Sequence, residues 1–95
     1  MPRAAATDEE QFAALAKALG HPARVRILRV LLAENRCIAG DLQAEVGLAA
    51  STVSQHLTQL KEAGWVRGEI DGPRRNYCIN RETRELFKRL SNELL

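Results

Sequence analysis

Residues 49–64 read AASTVSQHLTQLKEAG, and this stretch decides the fold. Val53, Leu57 and Leu60 recur at i, i+4 and i+7, which is the spacing of an apolar stripe along one side of a helix. Gly64 is placed to end that helix as a C-terminal cap. The opposite side carries hydroxyls and amides instead of Glu–Lys pairs, namely Ser51, Thr52, Ser54, Gln55, Thr58 and Gln59. Short polar side chains of this kind suit base edges and phosphates, so the pattern predicts a DNA recognition helix.

The residues before this helix complete a helix-turn-helix. A short helix is predicted over roughly residues 39–46, with Leu42 and Val46 as core contacts, and Gly47-Leu48 supplies the tight connection. Two further helices precede it. The first begins with Asp8, Glu9 and Glu10, three acids that suit the positive end of a helix dipole. The second begins at Pro22. His21 is interpreted as the residue that starts this second helix.

The residues after Gly64 change from a helical to an alternating period. Residues 65–70 and 74–79 are predicted strands, and Asp71-Gly72-Pro73 is the turn between them. The result is a β-hairpin with Arg74 and Arg75 at its tip, followed by a last helix over residues 81–95. That helix has an apolar side formed by Leu86, Phe87, Leu90 and Leu94. A short strand is also predicted at Cys37-Ile38.

These elements define the fold class as mainly α with a small β-hairpin wing, a winged helix-turn-helix. The predicted order is helix, helix, strand, helix, helix, strand, strand, helix. Residues 1–95 form one DNA-binding domain, in which residues 1–7 are expected to fray and residues 81–95 to form a dimerisation helix. With only four aromatic residues in 95, the core of a monomer is thin. A homodimer through the first and last helices would bury more apolar surface.

Composition bounds the function without identifying it. A formal net charge of +2 is too small to indicate nucleic-acid binding by itself, so the placement of charge matters more than its sum. No apolar run is long enough for a membrane span or a signal peptide, so the expected location is cytoplasmic. The two histidines lie on separate helices, and no nucleophile–base set or phosphate loop is present. The chain is therefore not expected to be an enzyme.

Two motifs resemble the ArsR/SmtB repressors. Residues 18–28, ALGHPARVRIL, are similar to the opening motif of that family. Residues 51–57, STVSQHL, followed by LKEAG at 60–64, are similar to its recognition helix. The resemblance extends over about residues 10 to 90. It implies a homodimeric, operator-binding transcriptional repressor that releases DNA when a metal, a metalloid or an oxidant reaches cysteine or other ligands.

The predicted DNA contacts come from the recognition helix and the wing. In a helix-turn-helix, the N-terminal half of the second helix enters the major groove. We therefore expect helix 49–63 and the 71–75 wing to contact DNA through Ser51, Thr52, Ser54, Gln55, His56, Thr58, Arg74 and Arg75. For His56, donation to a phosphate and packing at the edge of the apolar stripe are equally compatible with its position. Lys61 and Arg67 are weaker candidates. Ala49 offers no capping oxygen, and Ser51 would supply one if the helix began later.

Cys37 and Cys78 are the candidate inducer site. The short strand at Cys37 is expected to pair with the second wing strand. If Ile38, Tyr77 and Ile79 then face the core, both thiols face outward on the same side, with Cβ atoms about 5 Å apart. That distance allows joint ligation of a soft ion and is marginal for a disulfide. The candidate inducers are arsenite, antimonite or another soft metal ion. The alternatives are a redox or persulfide switch, or no inducer, with each cysteine an inert small hydrophobe.

The resemblance qualifies the metal hypothesis. Some ArsR-like members carry Cys-x-Cys-Gly-Asp before the third helix and Gly-Pro-Arg-x-Cys-Tyr-Cys in the wing. This chain keeps one cysteine of each pair and has Ala39 and Asn76 at the other two positions. The arsenic motif Cys-Val-Cys-Asp-Leu is absent because Gly40 precedes Asp41. The zinc site of the last helix is absent as well. Trivalent arsenic prefers three thiolates, so either a small-molecule thiol would supply the third ligand or the binding would be two-coordinate and weak.

Overall fold

The computed structural model describes residues 6–33, 37, 42–69 and 76–95. Its helices and strands are α1 (Asp8–Ala18), α2 (Pro22–Ala33), α3 (Leu42–Val46), α4 (Ala50–Ala63), β1 (Val66–Glu69), β2 (Asn76–Ile79) and α5 (Arg81–Leu94). This arrangement confirms the winged helix-turn-helix. The short strand expected at residues 37–38 is not seen at Cys37, and residue 38 lies outside the described residues.

Helix α1 begins at Asp8 and is capped by a residue that was expected to fray. Thr7 is its N-cap: the Thr7 Oγ1 accepts from the Glu10 N–H at 3.1 Å, and the Glu10 Oε1 accepts from the Thr7 N–H at 3.2 Å. This reciprocal pair is a capping box, which satisfies two otherwise unpaired helix N–H groups. Thr7 is therefore part of the fold, and the expectation of fraying is wrong for this residue.

Helix α2 lies at the centre of the molecule, and apolar residues occupy much of its circumference. It packs against α3, α4 and β2. Its Ile27 is fully buried, and Leu31 is almost so. The core around them is formed by buried side chains from every element except α5, with Leu86 and Phe87 of α5 packed against it. The apolar pattern of the sequence thus places one continuous core beneath the helix-turn-helix.

The connection between α3 and α4 is tight because Gly47 adopts a φ of 72°. The Gly47 and Leu48 N–H groups both donate to the Gln43 carbonyl, at 2.8 and 3.3 Å. From α2, the Arg26 Nη1 donates to the Val46 carbonyl at 3.1 Å. These bonds satisfy carbonyls that the end of a short helix leaves unpaired, and so they fix the angle at which α4 leaves the turn.

Strands β1 and β2 pair antiparallel, with Val66 opposite Ile79 and Gly68 opposite Tyr77. Val66, Tyr77 and Ile79 are buried, as the alternation in the sequence predicts. Gly68 has a φ of 120°, and a Cβ at this position would collide with the Asn76 carbonyl. The hairpin therefore requires glycine here for both its backbone conformation and its close strand approach.

Helix α5 closes the fold against α1 and the start of the hairpin. Its N-cap is Asn80, whose Oδ1 accepts from the Thr83 N–H at 3.3 Å. The Phe87 ring stacks on Phe12 with centroids 5.0 Å apart and meets Trp65 edge-on at 5.2 Å. The buried Trp65 Nε1 donates to the Leu15 carbonyl at 3.0 Å. Among the helices of the described ranges, none is long and apolar enough to cross a membrane.

Candidate nucleic-acid interface

The recognition helix α4 is held by its apolar stripe and by its C-terminal cap. Val53, Leu57 and Leu60 are all buried, as predicted. Gly64 adopts the left-handed conformation at φ 94°, and its N–H bonds to the last turn of the helix. The Gly64 carbonyl accepts from the Thr83 Oγ1 at 2.8 Å, which attaches the end of α4 to α5. The inner side and the C-terminus of α4 are thus fixed, while its outer side is free for another role.

The outer side of α4 carries the hydroxyl and amide groups that the sequence predicts for a DNA contact. Ser51, Gln55, Thr58 and Gln59 are exposed, and Thr52 and Ser54 are half-buried. The Thr58 hydroxyl donates to the Ser54 carbonyl at 2.9 Å, so its oxygen faces outward as an acceptor. The structure brings Ser51, Thr52, Ser54, Gln55 and Thr58 onto two adjacent turns of one helix.

The first turn of α4 has neither a side-chain cap nor an acid. Ala49 occupies the N-cap position with φ −64° and ψ 148°, and no side-chain hydrogen bond is made there. The alternative that Ser51 caps a later start is wrong, because α4 already begins at Ala50. A first turn without a cap presents backbone N–H groups and the positive end of the helix dipole outward, an arrangement suited to a phosphate.

His56 is buried, with 8% of its surface exposed, and this favours the packed alternative over a phosphate contact. Its Nδ1 accepts from the Arg24 Nε at 3.1 Å. Burial lowers the pKa of His56, and the neighbouring His21 and Arg24 lower it further. Arg24 was not predicted as the partner of His56, because no local sequence pattern links two residues 32 positions apart. The earlier assignment of His21 is supported: its Nδ1 accepts from the Ala23 N–H at 3.2 Å, at the start of α2.

The two wing arginines, Arg74 and Arg75, lie outside the described residues, as does the whole 71–75 segment. Their contact with DNA stays a prediction. Lys61 is engaged within the chain, because its Nζ donates to the Gly68 carbonyl at 2.6 Å. This bond joins the last turn of α4 to β1, so it helps to set the position of the hairpin relative to the recognition helix.

Cys37 and Cys78 are joined by a disulfide, with Cα atoms 4.3 Å apart and 41 positions between them in sequence. The expected strand pairing placed the two thiols side by side, as found, but made a disulfide only marginal, whereas the structure contains one. Cys78 is opposite Arg67 in the strand register, on the outer side of the hairpin. No cluster of three or more His, Cys, Asp or Glu side chains that could hold a metal is found within the described ranges.

Comparison with known proteins supports these structural assignments. The model for bacterial regulatory proteins of the arsR family matches residues 21–67. These residues run from the start of α2 into β1, so the match contains the helix-turn-helix. The chain is 41% identical over 73 residues to the HTH-type transcriptional regulator YgaV of Escherichia coli K12, a match that covers 77% of this chain and 74% of that protein.

Solved structures give the same result over most of the chain. The crystal structure of Rv0081 from Mycobacterium tuberculosis aligns with a TM-score of 0.66 and 35% identity, over 95% of this chain and 91% of the other. The NMR structure of the cadmium metal-sensor CMTR from the same species has a TM-score of 0.59 and 37% identity over 80% of each chain. The homodimeric winged helix-turn-helix domain of Mb0332 from Mycobacterium bovis has a TM-score of 0.64 and 25% identity, over 99% of this chain and 90% of that one. The chain belongs to the ArsR family of DNA-binding transcriptional regulators.

Proposed function

We propose that this regulator is a homodimeric repressor that reads its operator with α4 and the 71–75 wing and is released by chemistry at Cys37 and Cys78. It acts by binding and not by catalysis, and its DNA partner implies a cytoplasmic location. The observation that carries the proposal is the outer side of α4. This surface consists of polar side chains that are exposed or half-buried, and it belongs to a helix whose other side is buried in the core.

Each polar group on α4 suits a particular kind of DNA contact. Gln55 is exposed near the middle of the N-terminal half, where its amide can pair bidentately with adenine. Ser51 and Thr52 lie in the uncapped first turn, where hydroxyls and backbone N–H groups suit a phosphate. Ser54 and Thr58 can serve either base edges or phosphates. His56 is not part of this surface, because it is buried and bonded to Arg24.

A homodimer would place two such helices on one operator. Dimeric helix-turn-helix proteins read two half-sites one turn of DNA apart. Helices α1 and α5 are suited to the dimer contact, because both lie away from the outer side of α4 and pack on each other through Phe12 and Phe87. At the end of α5, Leu94 is 39% exposed and Leu95 is 91% exposed. The structural relative Mb0332, described as a homodimer, supports this arrangement.

The disulfide favours thiol oxidation as the input to this repressor. Forming it removes two protons and two electrons from Cys37 and Cys78, and a hydroperoxide accepts them to yield water and the corresponding alcohol or a second water. The bond joins Cys37, which precedes α3 in the chain, to Cys78 in β2, so that α3, α4 and β1 lie within the linked segment. A cross-link across this segment would change the angle between the recognition helix and the wing, and thus the fit to DNA.

A soft metal ion is the second candidate input, favoured by the 37% identity to the cadmium sensor CMTR. In the reduced state, the short separation between Cys37 and Cys78 would let both thiolates reach one soft ion such as Cd²⁺ or As(III). Two protein thiolates leave the coordination of As(III) to be completed by a small-molecule thiol. The redox and metal candidates use the same two sulfur atoms, and so they exclude each other at any one time.

A mobility shift on DNA from the region upstream of the gene tests the proposal. We expect the fully reduced chain to bind a specific site, and the oxidised chain to bind it at least about tenfold more weakly. Cys37→Ser and Cys78→Ser should bind like the reduced chain and should not respond to peroxide. Release of the reduced chain by cadmium or arsenite, without disulfide formation, would select the metal candidate.

The outcomes separate the parts of the proposal. If neither redox state binds the upstream DNA more tightly than an unrelated sequence, operator recognition by this chain is refuted. If the site is bound but both cysteine variants still respond to the oxidant and to the metals as wild type does, the cysteine pair is not the input. Sedimentation of the same samples tests the dimer, since a monomer at the concentrations that shift DNA would contradict it.

A further inference from the structure

A polar contact joins the start of α2 to the buried side of the recognition helix. The Arg24 Nε donates to the His56 Nδ1 at 3.1 Å, and the Arg24 Nη1 donates to the Ala18 carbonyl at 3.4 Å. Ala18 is the last residue of α1, and His56 is at the centre of α4. One guanidinium therefore bridges three helices, and one of these is the helix that carries the DNA-facing side chains.

His56 is the one buried polar side chain in the described part of the chain. It is flanked along α4 by the buried Val53, Leu57 and Leu60. A buried acceptor that loses its donor keeps the full cost of its desolvation, because water does not readily replace the partner. The Arg24 contact therefore fixes both the imidazole and the turn of α4 that carries it, including the exposed Gln55 next in sequence.

The contact requires a neutral imidazole. A ring nitrogen that accepts a hydrogen bond carries no proton, so the proton of His56 resides on Nε2. A second imidazole, His21, lies 4.4 Å away between ring centroids at an angle of 59°. The His21 Nδ1 is also an acceptor, from the Ala23 N–H. Both rings are thus held in the tautomer in which Nδ1 is unprotonated.

Protonation of His56 would reverse this contact. The Nδ1 would become a donor facing another donor, and two cations would meet within hydrogen-bonding distance. Among the described residues, the charged or titratable groups that act on His56 are Arg24 and His21, both at the start of α2. Its own helix contributes only uncharged neighbours on the adjacent turns, and Arg24 faces a carbonyl at the end of α1. No carboxylate among these groups compensates the added charge.

We propose that Arg24 and His56 position the recognition helix for DNA and that acidification releases this pair, so that operator affinity depends on pH. The proposal rests on DNA reading by α4, as put forward above, and is independent of the cysteine pair. Arg24 acts as a positioning residue: it reaches DNA-facing groups only through His56 and the helix that bears it. The ligand that changes operator affinity in this proposal is the proton that binds to His56.

The direction of the effect follows from the lowered pKa of His56. Its ordinary value is 6.5, and in the folded chain it lies below that. Above both values the imidazole is neutral in the folded and unfolded chains, and the pair is intact. As the pH falls through 6.5, the unfolded chain takes up the proton first, so this site destabilises the folded state until the folded pKa is reached. Operator affinity falls as the pH drops through the folded pKa.

The test is a pH series of operator binding by fluorescence anisotropy, together with NMR titration of the imidazole rings in the reduced full-length chain. Between about pH 7.5 and about pH 5.5, wild type should lose about tenfold in affinity, the ratio expected for one hydrogen bond to a charged group. His56→Asn places an amide oxygen near the position of Nδ1 and does not titrate. Whatever its affinity at the higher pH, its operator affinity should show no such loss on acidification.

Two further variants control this test. His21→Asn keeps an N-cap acceptor for α2 and removes the second imidazole. Operator affinity should therefore still depend on pH, with the midpoint of the loss at a higher pH. Arg24→Gln keeps an N–H donor without the charge and should also shift the midpoint upward. An operator affinity of wild type that stays flat over this range, or an unchanged profile in His56→Asn, would overturn the proposal.

The NMR titration keeps the proposal testable without DNA. A His56 Nε2–H tautomer at neutral pH and a ring pKa below 6.5 are expected. A His56 pKa at or above its ordinary value of 6.5 would refute the Arg24–His56 contact even if operator binding is confirmed. Conversely, a chain that shows this titration but binds no operator at any pH would refute DNA reading by α4 and, with it, the functional consequence of the Arg24–His56 contact.

Discussion

Reduction of the Cys37–Cys78 bond should destabilise the folded chain by about 4 kcal/mol. In the chain-entropy description, a cross-link lowers the conformational entropy of the unfolded state by an amount that depends on the loop it closes. Here the cysteines are 41 positions apart. A loop of this length corresponds to about 4 kcal/mol near 25 °C, between the values for short and very long loops. The loop contains α3, α4, β1 and the first part of β2, so the effect concerns the parts of the chain that are proposed to contact DNA.

Urea unfolding followed by far-UV circular dichroism measures this difference. With a slope of about 1–3 kcal/mol per molar urea for a small domain, the urea midpoint should fall by roughly 1.3–4 M on reduction. Protein concentration must be equal in all samples, because dimerisation adds to apparent stability. Cys37→Ser and Cys78→Ser should unfold at the midpoint of the reduced chain and should not respond to reductant. Equal midpoints for the oxidised and reduced wild type would refute the reasoning, because the loop would then impose no constraint on the unfolded chain.

Four substitutions test local interactions around the proposed DNA-binding face, each by urea unfolding of the oxidised chain. Ala49→Ser should stabilise the fold by about 0.5–2 kcal/mol, since the residue already has N-cap backbone angles and only lacks the oxygen; a loss of stability would contradict the assigned start of α4. Trp65→Phe should cost about 1–3 kcal/mol by leaving the Leu15 carbonyl without its buried donor, and an unchanged midpoint would count against that bond. Gly68→Ala should lower the free energy of unfolding more than Gly47→Ala does, because both glycines have positive φ but only Gly68 faces a neighbouring backbone. The backbone strain alone amounts to about 1–2 kcal/mol. Equal losses of stability in the two variants would refute the close strand approach at Gly68.

The parts of the fold that depend on short-range periodicity were predictable from the sequence. The stripe of Val53, Leu57 and Leu60 identified both the extent of α4 and its buried side. Alternation in the hairpin placed Tyr77 and Ile79 inside. Gly64 was identified as the end of the helix because a left-handed cap favours glycine. In each case the interaction that determines the structure joins residues only a few positions apart, so the local sequence pattern is enough to predict it.

Interactions between distant positions were not predictable in the same way. The Arg24–His56 bond depends on how α2 crosses α4, and the position of His56 at the edge of the stripe was compatible with either solvent or core. The cysteine pair was correctly brought together by the expected topology, but the choice between two thiols and a disulfide depends on atomic separation. The Thr7 capping box was different, because its Thr-x-x-Glu spacing is a recognised local motif and was overlooked.

Affinity measurements with two glutamine variants test the central claim most directly, namely that the N-terminal half of α4 reads the operator. Gln55 and Gln59 are exposed on the same helix, one turn apart, so Gln59→Ala is a matched control for Gln55→Ala. Fluorescence anisotropy with the reduced chain should show a loss of about 1–3 kcal/mol for Gln55→Ala on the specific site, with relaxed selectivity at one base pair. Gln59→Ala should change affinity by less than about 0.5 kcal/mol. Equal losses in the two variants, or a Gln55→Ala variant that retains full affinity and selectivity, would contradict the account.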